Sequence, residues 1–447
     1  MKKTSSPKIS QCMIVKNEEK TIERALSWGK GIVSEQIVVD TGSTDRTVEL
    51  AEAMGAAVYH FQWIDDFAAA KNFAIERAKY EWIAFLDADE YFTEEGARLL
   101  LHAVRQLHPL GTESILTAWV NLDNDGNVVT VGTQRRIFRN LPTLRYQGRI
   151  HEAINTLDGH KVPTVDMVRE LSIFHTGYGA AENAKKSGRN LKLIQMELAD
   201  HPDNYEMWGY MGQEHVSRGN WAEAEEAFRK AVSLIPESMR GIYDTTSSVT
   251  HLRLLEVLTS HPHTDEDSLM EAYRQAVEGW PEESDFDYIV GTFFAGRGQW
   301  EKGEFHLRRA LEVLERYGNT GKAMVLSGSI QKTYELLAVC CYNQGNLEEC
   351  LRFTTALLKE NPYLMSTAMV MLRAFGKDPA TTSKGEAGAE EIAAFLGNTF
   401  YDFTGLKDRL FVLRAAMAAE YRELVSVMRK SFSQAELAAV DQALGQN

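Results

Sequence analysis

Two hydrophobic periods divide this chain. From Ile9 to about Leu107, short apolar runs alternate with amphipathic stretches. "ISQCMIV", "QIVVD", "AAVYHF" and "WIAFLD" are short and rich in Val, Ile and aromatics, and so predict strands. "KTIERALSWG", "STDRTVELAEAMG", "DFAAAKNFAIERA" and "TEEGARLLLHAVRQL" repeat their apolar residues at helical spacing. Alternation of this kind predicts a parallel sheet with helices on both faces. From Ser114 to Tyr178 the pattern turns to strands alone, and "DNDG" between "SILTAWVNL" and "VVTVGTQRRIFRN" predicts a hairpin turn.

After about Ala180 strands vanish and helices repeat. "YEMWGYMGQEHVSRGNWAEAEEAFRKAVSLIP" fits the 34-residue tetratricopeptide pattern, with Trp208, Met211 and Gly212 on its first helix. Ala224, Phe228 and Ala231 sit on its second, and Pro236 ends the unit. A second copy begins near Ser284 (Gly291, Phe294, Gly303, Leu307, Ala310) and a third near Gln331 (Tyr334, Leu337, Ala338, Cys350, Leu357, Pro362). Tyr273, Ala276 and Pro281 read as half of a degenerate copy carrying the insert "SHPHTDED". "GKDPATTSKGEAG" (376–388) is the most loop-like segment, and 389–446 reads as a helical cap. The expected fold is therefore α/β at residues 1–180, tetratricopeptide-like repeats at 181–375, and a C-terminal helical cap at 376–447.

Charge narrows the partners. The 447 residues carry 48 basic and 63 acidic side chains, a net charge of −15. That disfavours nucleic acid or an anionic membrane as main partner. No apolar run of about eighteen residues predicts a membrane span, and "MKKTSSPKISQC" has no apolar segment that would make it a signal peptide. The four cysteines, Cys12, Cys340, Cys341 and Cys350, lack zinc-ligand spacing and imply a reducing, cytoplasmic setting.

The candidate chemistry lies where strands end. Asp87, Asp89 and Glu90 follow the apolar run "WIAFL", and Asp40 ends the second predicted strand. Ligands of open parallel sheets bind beyond the carboxyl ends of the strands, so these acids are expected to line one crevice. Crowded carboxylates need a positive neighbour: a lysine or arginine, a helix N-terminus or a metal ion. "DAD" suits a two-carboxylate grip on Mg²⁺ or Mn²⁺ that also bridges to phosphate. "KNEEKT" after the first strand is neither a dinucleotide fingerprint nor a P-loop.

In order and spacing, "MIVKNEE", "VVDTGSTDRT", "AKNFAIERA" and "FLDADE" resemble the family-2 glycosyltransferases of GT-A fold, a Rossmann-like nucleotide-sugar-binding domain, over roughly residues 8–178. "RRIFRN", "YQGRIHEAI" and "FHTGY", followed by repeats, resemble more narrowly the sublancin-type bacterial peptide S/O-glycosyltransferases. The resemblance implies an inverting enzyme that moves a hexose or N-acetylhexosamine from a UDP-sugar to a Cys, Ser or Thr side chain of a bacteriocin-like peptide or protein. It implies a donor site of Val15, Asn17, Asp40 (at the uracil), Lys71, Asp87, Ala88 and Asp89. Asp89 and His175 would hold the metal, Mg²⁺ or Mn²⁺, and Glu152 would accept the acceptor's proton. The family often ends that last motif in an acidic pair, where this chain has "HEA". His151 reads as a positioning residue, Asn17 and Glu18 as shaping the first turn, and Glu152 alternatively as an ion-pair partner of Arg149 or Arg136.

The repeats would present either a concave surface for the acceptor peptide or a homodimer surface. A glycan or lipid-linked sugar as acceptor, and a non-catalytic adaptor that binds partners through the repeats, are the competing readings.

Overall fold

The core of the N-terminal region is built on β1 (Ile9–Val15), β2 (Glu35–Asp40), β3 (Ala57–His60) and β4 (Trp82–Phe85), all parallel in the order β3-β2-β1-β4. The connections carry α1 (Ile22–Ser27), α2 (Thr47–Ala53) and α3 (Phe67–Ile75). The computed structural model describes residues 6–176, 180–242, 246–261, 264–318 and 323–443. The chain forms two units, 1–218 and 219–447.

Strand β4 shows why its sequence is a continuous apolar run. Trp82, Ala84 and Leu86 point into one cluster with Leu100 and Val104, while Ile83 and Phe85 enter another with Ile75, Phe138 and Tyr146. A strand covered on both faces has no polar side to show. Asp66 caps α3 by accepting from the Ala69 amide, and Thr93 does the same for α4 (Glu94–Leu107) at Gly96.

Beyond β4 the sheet becomes mixed. β5 (Glu90–Tyr91), β6 (Ser114–Leu122), β7 (Val128–Arg139), β10 (Thr164–Asp166) and β11 (Ser172–Thr176) extend it, and β8 (Leu144–Gln147) pairs with β9 (Ala153–Thr156) in a separate ribbon. The predicted hairpin joins β6 to β7 antiparallel, with Gly126 at φ 82° and Asp123 accepting from the Asp125 and Asn127 amides. β7 lies between β6 and β4 and welds the second half of the sheet to the parallel half. The unit continues into α5 (Ala180–Asp200) and α6 (Tyr205–Ser217). Gly177 and Tyr178 of "FHTGY", and Pro262 and His263 of the insert, lie outside the described residues.

Among its described residues, the regular structure of the second unit is all helical. It comprises α7 (Trp221–Leu234), α8 (Ser247–Ser260), α9 (Glu266–Gly279), α10 (Ser284–Gly296), α11 (Trp300–Tyr317), α12 (Met324–Ser327), α13 (Ile330–Asn343) and α14 (Leu347–Glu360). There follow α15 (Met365–Lys377), α16 (Pro379–Thr382), α17 (Glu386–Thr399), α18 (Leu406–Ala418), α19 (Arg422–Lys430) and α20 (Gln434–Ala443). The second and third repeats are the pairs α10–α11 and α13–α14. In the former, a Cβ on Gly291 would lie 2.9 Å from the Leu307 amide, and one on Gly303 2.9 Å from that of Ala295. Only glycine lets these backbones approach so closely.

The expected loop at 376–388 is corrected: α15 runs to Lys377, α16 occupies 379–382 and α17 begins at Glu386. Asp378 starts α16 by accepting from the Ala380 amide, and Gly385 (φ 56°) breaks it from α17. Glycine and proline here punctuate helices. The last helices share one core with the third repeat, through Leu358, Met371, Leu396, Leu413 and Leu424.

One titration is built into this unit. His251 on α8 is buried against Trp280 (ring centroids 5.0 Å apart), and its Nδ1 has no hydrogen-bond partner among the described residues. Burial, assisted by Arg240, lowers its pKa from 6.5 to about 4. A depressed histidine stabilises the fold above its unfolded value and withdraws that stability as pH falls from 6.5 towards 4. Acidification from pH 7.5 to 5 is expected to cost the helical unit about 2 kcal/mol through this residue. His251→Leu should flatten that acid limb in urea unfolding followed at the two pH values.

Candidate active site

The parallel strands β2 and β4 flank β1, so their carboxyl ends open on the same edge of the sheet. Asp40, paired in register with Val15, ends β2 on one side of β1, and Asp87 to Asp89 follow β4 on the other. Asp40 is buried, its carboxylate accepting from the Gly42 and Ser43 amides, with His60 Nδ1 at 3.4 Å. Asn17 takes a left-handed backbone (φ 59°), donates its amide to Ser43 Oγ and accepts from the Thr44 amide. It therefore ties the loop after β1 to the loop after β2. The Val15 carbonyl accepts both the amide and the hydroxyl of Thr41, which fixes the same junction.

The crowded carboxylates have two cations of the protein's own among them. Arg136 from β7 donates to Asp87 Oδ2 (2.6 Å) and Glu90 Oε1 (2.8 Å). Lys71 from α3 lies 3.4 Å from Asp87 and 2.7 Å from Glu152, buried beneath the rings of Phe85 and Tyr146. Burial pulls the Lys71 ammonium towards neutrality, but Asp87 and Glu152 more than reverse this and hold its pKa above the ordinary lysine value. Burial likewise opposes ionisation of Asp87, and Arg136 and Lys71 overcome it, holding that carboxyl well below the usual range. Glu90 goes the other way: burial raises it, and Arg136 does not fully compensate. Glu90 also accepts from the Asp87 amide and from Trp119 Nε1, so it braces the turn from within.

Lys71 thus joins Asp87 to Glu152, and no contact between Lys71 and Asp40 is found among the described residues. The ion-pair partner of Glu152 is Lys71, whereas the sequence pointed to Arg149 or Arg136. Arg149 is taken by Glu197 and Asp200, and Arg136 by Asp87 and Glu90.

Asp89 and His175 stand apart from this cluster and meet each other. The two-residue strand β5 pairs antiparallel with β11, setting Glu90 opposite His175, and the Thr176 amide donates to the Asp89 carbonyl. His175 Nε2 then lies 3.2 Å from Asp89 Oδ2, with the imidazole stacked on Trp119. Its Nδ1 is 2.7 Å from Asn121 Oδ1, and the Asn121 amide nitrogen donates to Thr130. With Asn121 so oriented, the neutral ring carries its proton on Nδ1, and Nε2 turns its lone pair towards the carboxylate. Such a pair is joined either by a proton on Nε2 or by a cation between the two.

Residues and charge both fit a divalent ion. Asp87, Asp89, Glu90 and Glu152 face one lysine and one arginine, so with His175 neutral the group has a formal charge of −2. No set of three or more His, Cys, Asp or Glu side chains with metal-holding geometry occurs among the described residues. The protein would supply two ligands, leaving the other positions to water and diphosphate oxygens, as is usual for Mg²⁺ beside phosphates.

Sequence reasoning did not find Asn121 and Trp119. Their signal was present: an asparagine in a largely apolar strand, two residues after a tryptophan and so on the same face. Asn121 is buried and in register with both His175 and Thr130 across three strands. Ala88, between the two aspartates, is buried in the cluster with Val15 and Met13.

Comparison with known proteins agrees with this architecture. Residues 10–111 match the model of the family described as Glycosyl transferase family 2. A TPR repeat-containing protein of Synechococcus elongatus is 30% identical over 279 residues, 60% of this chain and 66% of that protein. The SPbeta prophage-derived glycosyltransferase SunS of Bacillus subtilis is 28% identical over 235 residues, 52% of this chain and 54% of SunS. An uncharacterized glycosyltransferase of Rickettsia bellii is 43% identical over 95 residues, 21% of this chain and 32% of that protein. The chain thus spans just under two thirds of the first of these relatives and about half of the second. It carries a glycosyl transferase family 2 domain of GT-A fold, followed by helices of tetratricopeptide type.

Proposed function

We propose that this chain is an inverting glycosyltransferase, moving a hexose or N-acetylhexosamine from a UDP-sugar to a cysteine, serine or threonine of a peptide or protein. The observation that carries the reading is the Asp89–His175 pair, joined side to side at the mouth of a family-2 domain, with the imidazole Nδ1 2.7 Å from Asn121 Oδ1. Residues 1–180 are read as the catalytic domain, 181–375 as the repeats and 376–447 as their cap.

In this reading Asp40 receives the uracil, with Val15 and Asn17 shaping the loop around it. Asp87 and Ala88 line the ribose side, and Asp87 is kept ionised and in place by Arg136 and Lys71. Asp89 and His175 hold Mg²⁺ or Mn²⁺, which would offset the charge gathering on the departing diphosphate. The anomeric carbon exchanges its bond to UDP for one to the acceptor atom, through an oxocarbenium-like transition state. Glu152 takes the acceptor's proton. A hydroxyl needs such a base within reach, whereas a thiol of pKa about 8.5 is already a few per cent thiolate at neutral pH. Glu152→Gln therefore distinguishes the acceptors: transfer to serine should fall by about 10²-fold or more, and transfer to cysteine by far less. The helical repeats recruit the acceptor peptide. No helix among the described residues is long and apolar enough to cross a membrane, and the four buried free thiols suit a cytoplasmic enzyme.

The test is UDP release from UDP-glucose and from UDP-N-acetylglucosamine, with Mn²⁺ or Mg²⁺ and then with EDTA. Metal-dependent release is the expected result. Absence of release, together with no UDP-induced thermal shift, would overturn the enzyme reading in favour of a repeat-based adaptor.

A further inference from the structure

The loop that carries Glu152 is held in a strained shape by side chains from outside the sheet. Residues 148–152 connect β8 to β9, with Gly148 at φ 97° and His151 at φ 52°. Glycine adopts the first value freely, but a histidine in the left-handed region is unfavourable and persists only where its surroundings impose it. Those surroundings come from α5, α6 and the start of α3. Glu197 of α5, buried, accepts from the Arg149 amide at 3.1 Å, and Asp200 one turn on accepts from the Arg149 guanidinium at 2.7 Å. The Arg149 carbonyl accepts from the Phe67 amide at 2.9 Å. Ile150 is buried, and the His151 ring lies parallel to Tyr210 of α6, with centroids 3.6 Å apart and planes 6° apart. Glu152 then reaches Lys71.

Arg149 is thus held from α5 and α3, and the strained His151 by an aromatic stack from α6. We infer that Glu197 and Tyr210 are positioning residues for the acceptor-side carboxylate: they clamp Arg149 and His151 so that Glu152 faces the reacting centre. This rests on the reading of Glu152 as base. It gives α5 and α6 a part in the chemistry that neither sheet motifs nor repeat pattern assign to them. Among the described residues Tyr210 meets the loop through its ring, so phenylalanine should replace it. Glu197 acts chiefly as acceptor of the Arg149 amide, Asp200 being the nearer partner of the guanidinium, so glutamine should replace it.

Two measurements on the full chain test this. The first is amide hydrogen exchange across residues 147–153 in wild type, Tyr210→Leu, Tyr210→Phe and Glu197→Ala. Tyr210→Leu and Glu197→Ala should speed exchange in this segment about tenfold and leave β1 to β4 unchanged, while Tyr210→Phe matches wild type. The second is UDP release from UDP-glucose with Mn²⁺ and water as acceptor. Tyr210→Leu and Glu197→Ala should lower kcat at least tenfold with KM within twofold, and Tyr210→Phe and Glu197→Gln should each keep the wild-type kcat. Unchanged exchange in the segment overturns the clamp. Faster exchange with unchanged kcat, or kcat and KM falling with a general loss of thermal stability, overturns the positioning role. A wild type that releases no UDP overturns that role together with the transferase reading, while exchange still decides the clamp.

Discussion

Asp89→Asn should abolish metal-dependent UDP release, lowering it at least a hundredfold, while leaving the first unit folded. The loss is expected to be this large because preorganised charge at a leaving group commonly contributes 10²–10³ in rate, about 3–4 kcal/mol. Folding should survive because Asp89 is partly exposed and its side chain meets His175 at the crevice, outside the buried network of Arg136 and Lys71. The asparagine keeps size and hydrogen bonding but removes the charge that makes Asp89 a ligand. A graded companion is Asn121→Leu, which releases His175 Nδ1 and should weaken Mn²⁺ dependence about 10- to 100-fold, the usual cost of losing an outer partner of a ligating histidine. The measurement is the Mn²⁺ concentration giving half-maximal UDP release, alongside the thermal shift produced by UDP with and without metal. Asp89→Asn with wild-type release would mean that the pair holds no metal, and the meeting of Asp89 and His175 would lose its functional meaning.

That pairing also marks how far the sequence could be read. Asp40, Asp87 and Asp89 were legible because each ends an apolar run, and parallel topology puts strand ends together whatever the loops do. The repeats were legible because Gly291 and Gly303 sit where two backbones nearly touch, a requirement that local sequence alone meets. The partners of the carboxylates were not legible. Arg136 reaches Asp87 only because β7 inserts antiparallel between β4 and β6, and Lys71 reaches Glu152 only because the β8–β9 ribbon folds over α3. These are long-range juxtapositions with no periodic signature. Asp89 and His175, the pair named for the metal, do meet, while Asp87 and Glu90 find their positive neighbours in Arg136 and Lys71. The segment 376–388 misled for the opposite reason: its Gly, Pro and Ser are turn formers, yet here they cap and separate three helices.

Arg136→Met should destabilise the first unit by about 3–5 kcal/mol, the largest stability effect expected of any single change at the site. One guanidinium nitrogen serves both Asp87 and Glu90, and Glu90 is almost wholly buried. Removing it leaves the buried Glu90 carboxylate, with the one-third-exposed Asp87 beside it, and only the more distant Lys71 to balance them. Breaking a buried ion pair costs far more than the pair itself contributes, because the remaining charge stays desolvated. The cost should therefore depend on Glu90 still being an acid. In a double-mutant cycle followed by urea unfolding, Arg136→Met with Glu90→Gln should recover at least 1 kcal/mol relative to the sum of the single changes. Simple additivity would place the penalty elsewhere, in lost packing of the arginine stem. Activity supplies a separate axis. If Arg136 serves only to hold Asp87 ionised and fixed, the doubly substituted protein should regain stability without regaining UDP release, because Asp87 has still lost its nearer cation. Recovery of both would mean that Lys71 alone suffices to orient Asp87, and that the arginine stabilises the turn beneath the site instead of the site itself.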